Sequence, residues 1–171
     1  MKFRKATEAD IDSIMEIINQ AQTWFKEQGI NQWQNNYPNP EIIKKDIDNS
    51  YGYILLKDNV VVSYVALIFD GEITYNSIYN GEWISNDKYA VIHRMAVESS
   101  YKGQGLASVI FNYVEELCYE KKVHSIKVDT HEDNIPMQKL LYKNGFQYCG
   151  IIYLEDKSKR IAFEKILIKG A

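Results

Sequence analysis

The sequence has little of several things. Its only cysteines in 171 residues are Cys118 and Cys149, in no Cys-x-x-Cys pair. No disulfide framework is expected, and two free thiols point to a reducing compartment, the cytoplasm. Charge of one sign is also missing. Twenty Lys and Arg against 23 Asp and Glu leave a net charge of −3. Nucleic-acid binding needs clustered cations, so no nucleic-acid partner is expected. No apolar run approaches the ~20 residues of a membrane span. No basic stretch followed by an apolar run opens the chain, so neither a membrane partner nor a secretory signal is expected. The three histidines, His93, His124 and His131, share no spacing, and no metal site is expected.

What is present belongs to a folded chain. Hydrophobic residues make up 46% and charged residues 25%, which excludes disorder as the dominant state. At ~150 residues per domain, residues 1–171 read as a single domain, long enough to bury about two-thirds of its unfolded surface. There is no repeat and no linker. Thirteen tyrosines and three tryptophans exceed what such a core requires, so some are expected to line a pocket or an interface.

Phe3–Lys5 reads as a short strand. Thr7-x-x-Asp10 fits a helix start with Thr7 as N-cap. Ile11, Ile14, Met15, Ile18, Ala21 and Phe25 follow at helical spacing, up to Gln28-Gly29. A polar loop over 31–40 leads to a second short helix at about 41–49. Tyr51–Lys57 and Val60–Phe69, parted by Asp58-Asn59, predict an antiparallel hairpin. Residues 73–88 read as an irregular insertion, and Tyr89–Val97 as a strand. Gln104–Lys122 is the clearest helix, striped by Leu106, Val109, Ile110, Tyr113, Val114, Leu117 and Cys118. Ser125–Thr130 alternates Ile126, Val128 and Thr130 against Lys127 and Asp129, the pattern of a strand. Asn134–Lys143 is a helix with Pro136 in its first turn and Gly145 past its end. Phe146–Leu154 and Ile161–Ile168 are the last strands. Both strand-helix-strand units predict parallel pairs, and the hairpins predict antiparallel ones. The expected fold class is α/β: a mixed, largely antiparallel central sheet of about six to seven strands with helices on both faces.

The chemistry concentrates at Lys102-Gly103-Gln104-Gly105-Leu106-Ala107-Ser108, which joins a strand to a helix start. Gly103 and Gly105 carry no side chain to keep a ligand from the backbone N–H groups. The unpaired donors and the dipole of a helix N-terminus favour an anion there, and a phosphate or pyrophosphate suits the loop. Taken alone, the same glycines fit a tight strand-to-helix turn. No Gly-Lys-Ser/Thr follows, and Ser108 stands where a dinucleotide fingerprint would have its third glycine.

Lys102-x-x-Gly105-x-Ala107 resembles the pyrophosphate motif Arg/Gln-x-x-Gly-x-Gly/Ala of the GNAT superfamily of acetyl-CoA-dependent N-acetyltransferases, with Lys in place of Arg or Gln. Asn134, Leu141-Tyr142 and Gly145-Phe146 match the family's second half, and the predicted element order follows the family over nearly the whole chain. The resemblance implies acetyl-CoA as donor. Met95, Ala96 and Val97 would meet its pantetheine arm. Lys102, Gly103, Gln104, Gly105, Leu106, Ala107 and Ser108 would hold the pyrophosphate, and Asn134 would hydrogen-bond the cofactor. Tyr142 would protonate the leaving thiolate. Read from its neighbours alone, Tyr142 beside Leu141 is a core tyrosine. His93 lies two positions before Met95, on the same strand face by alternation. It is a candidate base, as at the same relative position in related arylalkylamine acetyltransferases; the alternative is a buried histidine bonded to a carbonyl.

Trp33, Glu82 and Trp83 are candidates for the acceptor side, because an aromatic wall with a carboxylate attracts a cation. The expected activity is transfer of an acetyl group to a primary amine of a small or peptide acceptor by direct attack. The alternative is an inactive CoA-binding sensor of the same fold. Pairing of the strand-rich C-terminus leaves a homodimer open.

Overall fold

Asp10 organises the start of the first helix. Its Oδ2 accepts the Thr7 N–H at 2.8 Å, and both its oxygens accept from the Arg4 guanidinium, at 2.9 and 3.1 Å. A single 3-10 turn, Glu8–Asp10, stands between Thr7 and the helix. The computed structural model describes residues 1–168. The elements run β1 (Lys2–Lys5), α1 (Ile11–Glu27), α2 (Pro40–Asp48), β2 (Gly52–Lys57), β3 (Val60–Ile68) and β4 (Ala90–Val97). They continue with α3 (Leu106–Glu120), β5 (Ser125–Thr130), α4 (Ile135–Lys143), β6 (Gln147–Tyr153) and β7 (Lys159–Ile166).

Local chemistry explains most of these boundaries. Gly29, at φ +70, takes the left-handed step that ends α1. Asn39 caps α2 by accepting the Ile42 N–H at 2.9 Å, with Pro40 in the first turn. Asp58 and Asn59 both have positive φ, +51 and +65. The two-residue hairpin turn they form matches the right-handed twist of β2 and β3.

The strands form one seven-stranded mixed sheet in the order β1-β2-β3-β4-β5-β7-β6. β4 and β5 are parallel, with Ala90 opposite Ile126 and Val91 opposite Lys127. β1–β2, β2–β3, β5–β7 and β6–β7 are antiparallel. The second strand-helix-strand unit does not make the expected parallel pair, because β7 lies between β5 and β6. The burial pattern gives the reason. Ala162, Phe163 and Glu164 of β7 are fully buried, whereas Tyr148 and Tyr153 of β6 are exposed. The strand buried on both faces takes the interior place, and the strand with tyrosines to hydrate takes the edge.

The chain divides into two compact units: residues 1–67 with 93–110, and residues 68–92 with the chain from 111 on. In the first, Ile14, Ile17 and Ile18 of α1 and Ile43 of α2 pack on Ile54, Tyr64 and Ala96. Each buried isoleucine contributes on the order of 1.5–3 kcal/mol. Leu55, on the opposite pleat from Ile54, is fully buried too, so both faces of the sheet are covered. In the second unit, Tyr75, Val91, Ile152 and Ala162 form a core against which Trp83 and Tyr89 pack.

The insertion before β4 is more ordered than its composition suggests. It holds a 3-10 turn at Ile73–Asn76. Tyr79 bridges Ile151 on β6 by two backbone hydrogen bonds of 2.8 Å. Gly81 lies where a Cβ would come within 2.0 Å of the Cys149 carbonyl oxygen, so only glycine fits there.

Candidate active site

The glycine loop belongs to the first unit and is built on α1. Glu98, just past β4, donates its N–H to the Val62 carbonyl at 2.8 Å. Its carboxylate accepts from the Ser100 hydroxyl, from the Ser100 N–H at 2.9 Å and from Gln20 Nε2 at 2.9 Å. These bonds, that of the Ser100 hydroxyl foremost, hold the Glu98 carboxyl below the usual carboxylate range. The Gln20 side-chain carbonyl accepts the Ser99 N–H at 2.9 Å, so one amide holds the start of the turn Ser99–Tyr101. The Lys102 ammonium lies 5.4 Å from the centre of the Trp24 ring.

Gly103 and Gly105 have φ of +80 and +76, and a Cβ on either would meet no heavy atom within 4 Å. The left-handed backbone favours glycine, and the space beside it is open. The left-handed step at Gly105 also shortens the predicted helix: α3 begins at Leu106, not at Gln104. Val109 N–H donates to the Gly105 carbonyl at 3.3 Å. The amides of Leu106, Ala107 and Ser108 therefore precede the first intrahelical bond and serve as donors at the positive end of the helix dipole. Leu106 contributes only its backbone, since its side chain is buried. Gln104 Nε2 donates to the Ser100 carbonyl at 3.4 Å. This open, amide-lined cradle fits a pyrophosphate.

β4 leads into this loop. Its parallel register with β5 covers Ala90 and Val91, and Met95, Ala96 and Val97 lie beyond it in sequence. Ala96 is buried, and His93, Met95 and Val97 are half-buried. Arg94 takes φ +51. The two-residue alternation that would put His93 and Met95 on one face is thus interrupted between them.

In the second unit, Asn134 caps α4. Its Oδ1 accepts the Met137 N–H at 3.3 Å, and its Nδ2 donates to Thr130 Oγ1 at 3.2 Å. The cofactor ligand expected at Asn134 is in this structure a buried side chain that sets the start of the helix carrying Tyr142. Tyr142 itself is 56% exposed. The core reading of that tyrosine does not hold. His131 Nδ1 accepts the Asp133 N–H at 3.0 Å and so serves a turn. His124 is exposed.

The acceptor-side candidates separate. Trp33, at φ +57, packs edge-on against Phe25 with ring centres 5.7 Å apart. Glu82 is exposed. Trp83 donates its indole N–H to the Tyr75 carbonyl at 2.9 Å, and the cation at its ring is the chain's own Lys127, 4.4 Å from the ring centre. Its aromatic wall is occupied by packing.

Two polar clusters escaped the sequence reading. In the first unit, Arg94 forks onto Asp46, and Asp46 also accepts the Tyr64 hydroxyl at 2.7 Å. Burial, reinforced by Asp46, pushes the Tyr64 phenol well up. In the second unit, Glu164 is fully buried. It accepts from Ile84 N–H at 2.8 Å, Ser85 Oγ at 2.9 Å and Ser125 Oγ at 2.6 Å. Lys127 lies nearby between the rings of Trp83 and Tyr89, and burial pushes its pKa down. Strand alternation predicts a polar face for β5. As a central strand, β5 is covered on both sides, and Lys127 is only 3% exposed. Among the described residues, no group of three His, Cys, Asp or Glu could hold a metal ion, and no helix is long and apolar enough to cross a membrane.

Comparison with known proteins bears on the family and the fold. The family model described as the acetyltransferase (GNAT) family matches residues 14–146. The chain belongs to the GNAT acetyltransferase family. A GNAT-family acetyltransferase structure from Streptococcus agalactiae 2603 superposes with a TM-score of 0.88 at 34% identity, covering 98% of this chain and 96% of that one. A Bacillus subtilis (strain 168) protein named putative ribosomal protein bS18 alanine N-acetyltransferase is 33% identical over 99 residues, which span 58% of this chain and 63% of that relative. The S-alkylcysteine N-acetyltransferase of the same strain is 25% identical over 114 residues, 67% of this chain and 58% of that relative.

Proposed function

We propose that this protein transfers an acetyl group from acetyl-CoA to a primary amine by direct attack. The observation that carries the reading is the cradle at Gly103–Ser108, with its left-handed glycines and helix-terminal amides. The loop would hold the pyrophosphate, with Lys102 adding positive charge, and Met95, Ala96 and Val97 would offer backbone groups to the pantetheine arm. Bound there, the donor supplies an activated thioester. His93 takes a proton from the attacking ammonium, directly or through water. The N–H of Met95 or Val97 donates to the charge that develops on the carbonyl oxygen. Tyr142, exposed on α4, gives its proton to the departing thiolate. Asn134 acts by fixing the first turn of α4. Two buried free thiols, Cys118 and Cys149, support a reducing, cytoplasmic setting.

The test is calorimetric titration with acetyl-CoA, followed by thiol release over an amine panel. The panel begins with an alanine-initiated peptide and S-methylcysteine, prompted by the relatives' names, and adds a polyamine and an aminoglycoside. Binding with amine-dependent thiol release is the expected result. Binding without turnover would favour the inactive CoA-binding reading, and no binding would remove the proposal.

A further inference from the structure

Arg94 joins three segments of the first unit. Its Nε and Nη2 donate to the two oxygens of Asp46 on α2, at 2.8 and 2.6 Å. Asp46 Oδ2 also accepts the Tyr64 hydroxyl of β3 at 2.7 Å. Arg94 Nη1 donates to the Tyr37 hydroxyl, in the connection between α1 and α2, at 2.9 Å. The Arg94 and Asp46 side chains are only 13% and 5% exposed.

A pair serving stability alone needs no more than the Asp46 fork. The third arm reaches out of the buried cluster to a ring that is 39% exposed. Tyr37 belongs to a segment in which Trp33, Asn35 and Asn36 all have φ of +57 or +58, a backbone that nearby tertiary contacts must hold in place. The strand at the other end of the bond carries His93 and Met95 on either side of Arg94. The planar guanidinium suits this geometry: one edge satisfies the carboxylate bidentately, and the remaining amino group is directed elsewhere. A lysine offers a point charge and cannot span both partners.

We infer that Arg94 is a positioning residue for the amine acceptor: through the Tyr37 hydroxyl it latches residues 31–37, Trp33 among them, to the strand of His93. This rests on the transferase reading above. Arg94 touches no reacting atom in this role; it sets where the acceptor-side segment stands.

The decisive variant is Tyr37→Phe, which removes one exposed hydroxyl and leaves the Asp46–Arg94–Tyr64 cluster whole. Hydrogen exchange of the amides in 31–37 should quicken about tenfold, the scale of losing one charge-assisted hydrogen bond. Amides of 92–97 should keep their protection, and the melting temperature should fall by no more than a few degrees. With whichever panel amine the wild type acetylates, the acceptor KM should rise about tenfold, while kcat and the acetyl-CoA KM stay within about twofold. Arg94→Lys should reproduce the acceptor effect with a lower melting temperature. Unchanged exchange in Tyr37→Phe overturns the latch, and quickened exchange with an unchanged acceptor KM overturns the positioning role. If the wild type acetylates no amine, the transferase reading fails, and the exchange experiment still decides the latch.

Discussion

Tyr142 stands edge-on to Phe163, with ring centres 5.5 Å apart at 82°. The contact fixes the ring while leaving more than half of the residue in solvent. Phenylalanine at 142 keeps that contact and removes only the hydroxyl. Tyr142→Phe should lower turnover about 10²-fold with little change in acetyl-CoA affinity. Steady-state kinetics beside calorimetry would check it, and an unaltered turnover would leave Tyr142 as a surface aromatic.

The base is tested by the pH profile. With His93 intact, transfer should proceed at pH values where the acceptor amine is still largely an ammonium, because a base takes its proton. His93→Gln still hydrogen-bonds water but accepts no proton, so transfer should be lost there and the rate should climb only as the free amine becomes available. Glu82 is exposed. Should transfer to the ammonium persist in His93→Gln and disappear in Glu82→Gln, the insertion supplies the base.

Glu164 docks the insertion onto the sheet. Glutamine there offers one acceptor oxygen where the carboxylate accepts from Ile84 N–H, Ser85 Oγ and Ser125 Oγ. Glu164→Gln should cost about 1–3 kcal/mol. Urea unfolding should show a lower midpoint at similar m-value, and amides of Ile84 and Ser85 should exchange faster than those of β7.

Asp10 predicts a pH-dependent contribution. The Arg4 hydrogen bond first, then the Thr7 amide and hydroxyl, hold its carboxyl below the usual value against the opposing effect of burial. The unfolded chain therefore binds the proton more tightly. The stabilisation is complete above ~3.9, the ordinary aspartate value, and is lost as pH falls through the lower folded value. Asp10→Asn should lose about 1 kcal/mol near neutrality, and denaturation curves of the two proteins should converge in acid. A gap that stays constant into acid would assign the effect to shape rather than charge.

Much of the fold is legible because its causes are local. Asp58-Asn59 predicts the β2–β3 turn since both residues tolerate positive φ. Asn134 predicts the start of α4 because a short side-chain oxygen reaches the amide three residues on. The loop at Gly103–Ser108 is legible for the same reason, and Arg94 is not. It reads as one charged residue in a strand, and its partner Asp46 lies 48 positions away. Trp83 misled because an aromatic residue beside Glu82 suggests a cation from outside, whereas Lys127 supplies one from within.

The sequence by itself determined the order and kind of the elements, the anion-suited loop and the resemblance to the acetyltransferases. Periodicity, capping and glycine placement act over a few residues and survive without the rest of the chain. The tertiary structure decided that β7 would part β5 from β6, that Lys127 and Glu164 would be buried, and that Arg94 would reach from Asp46 to Tyr37. These follow from which surfaces must be covered once all the elements pack, and desolvated charges then take whatever partner the packing brings within reach.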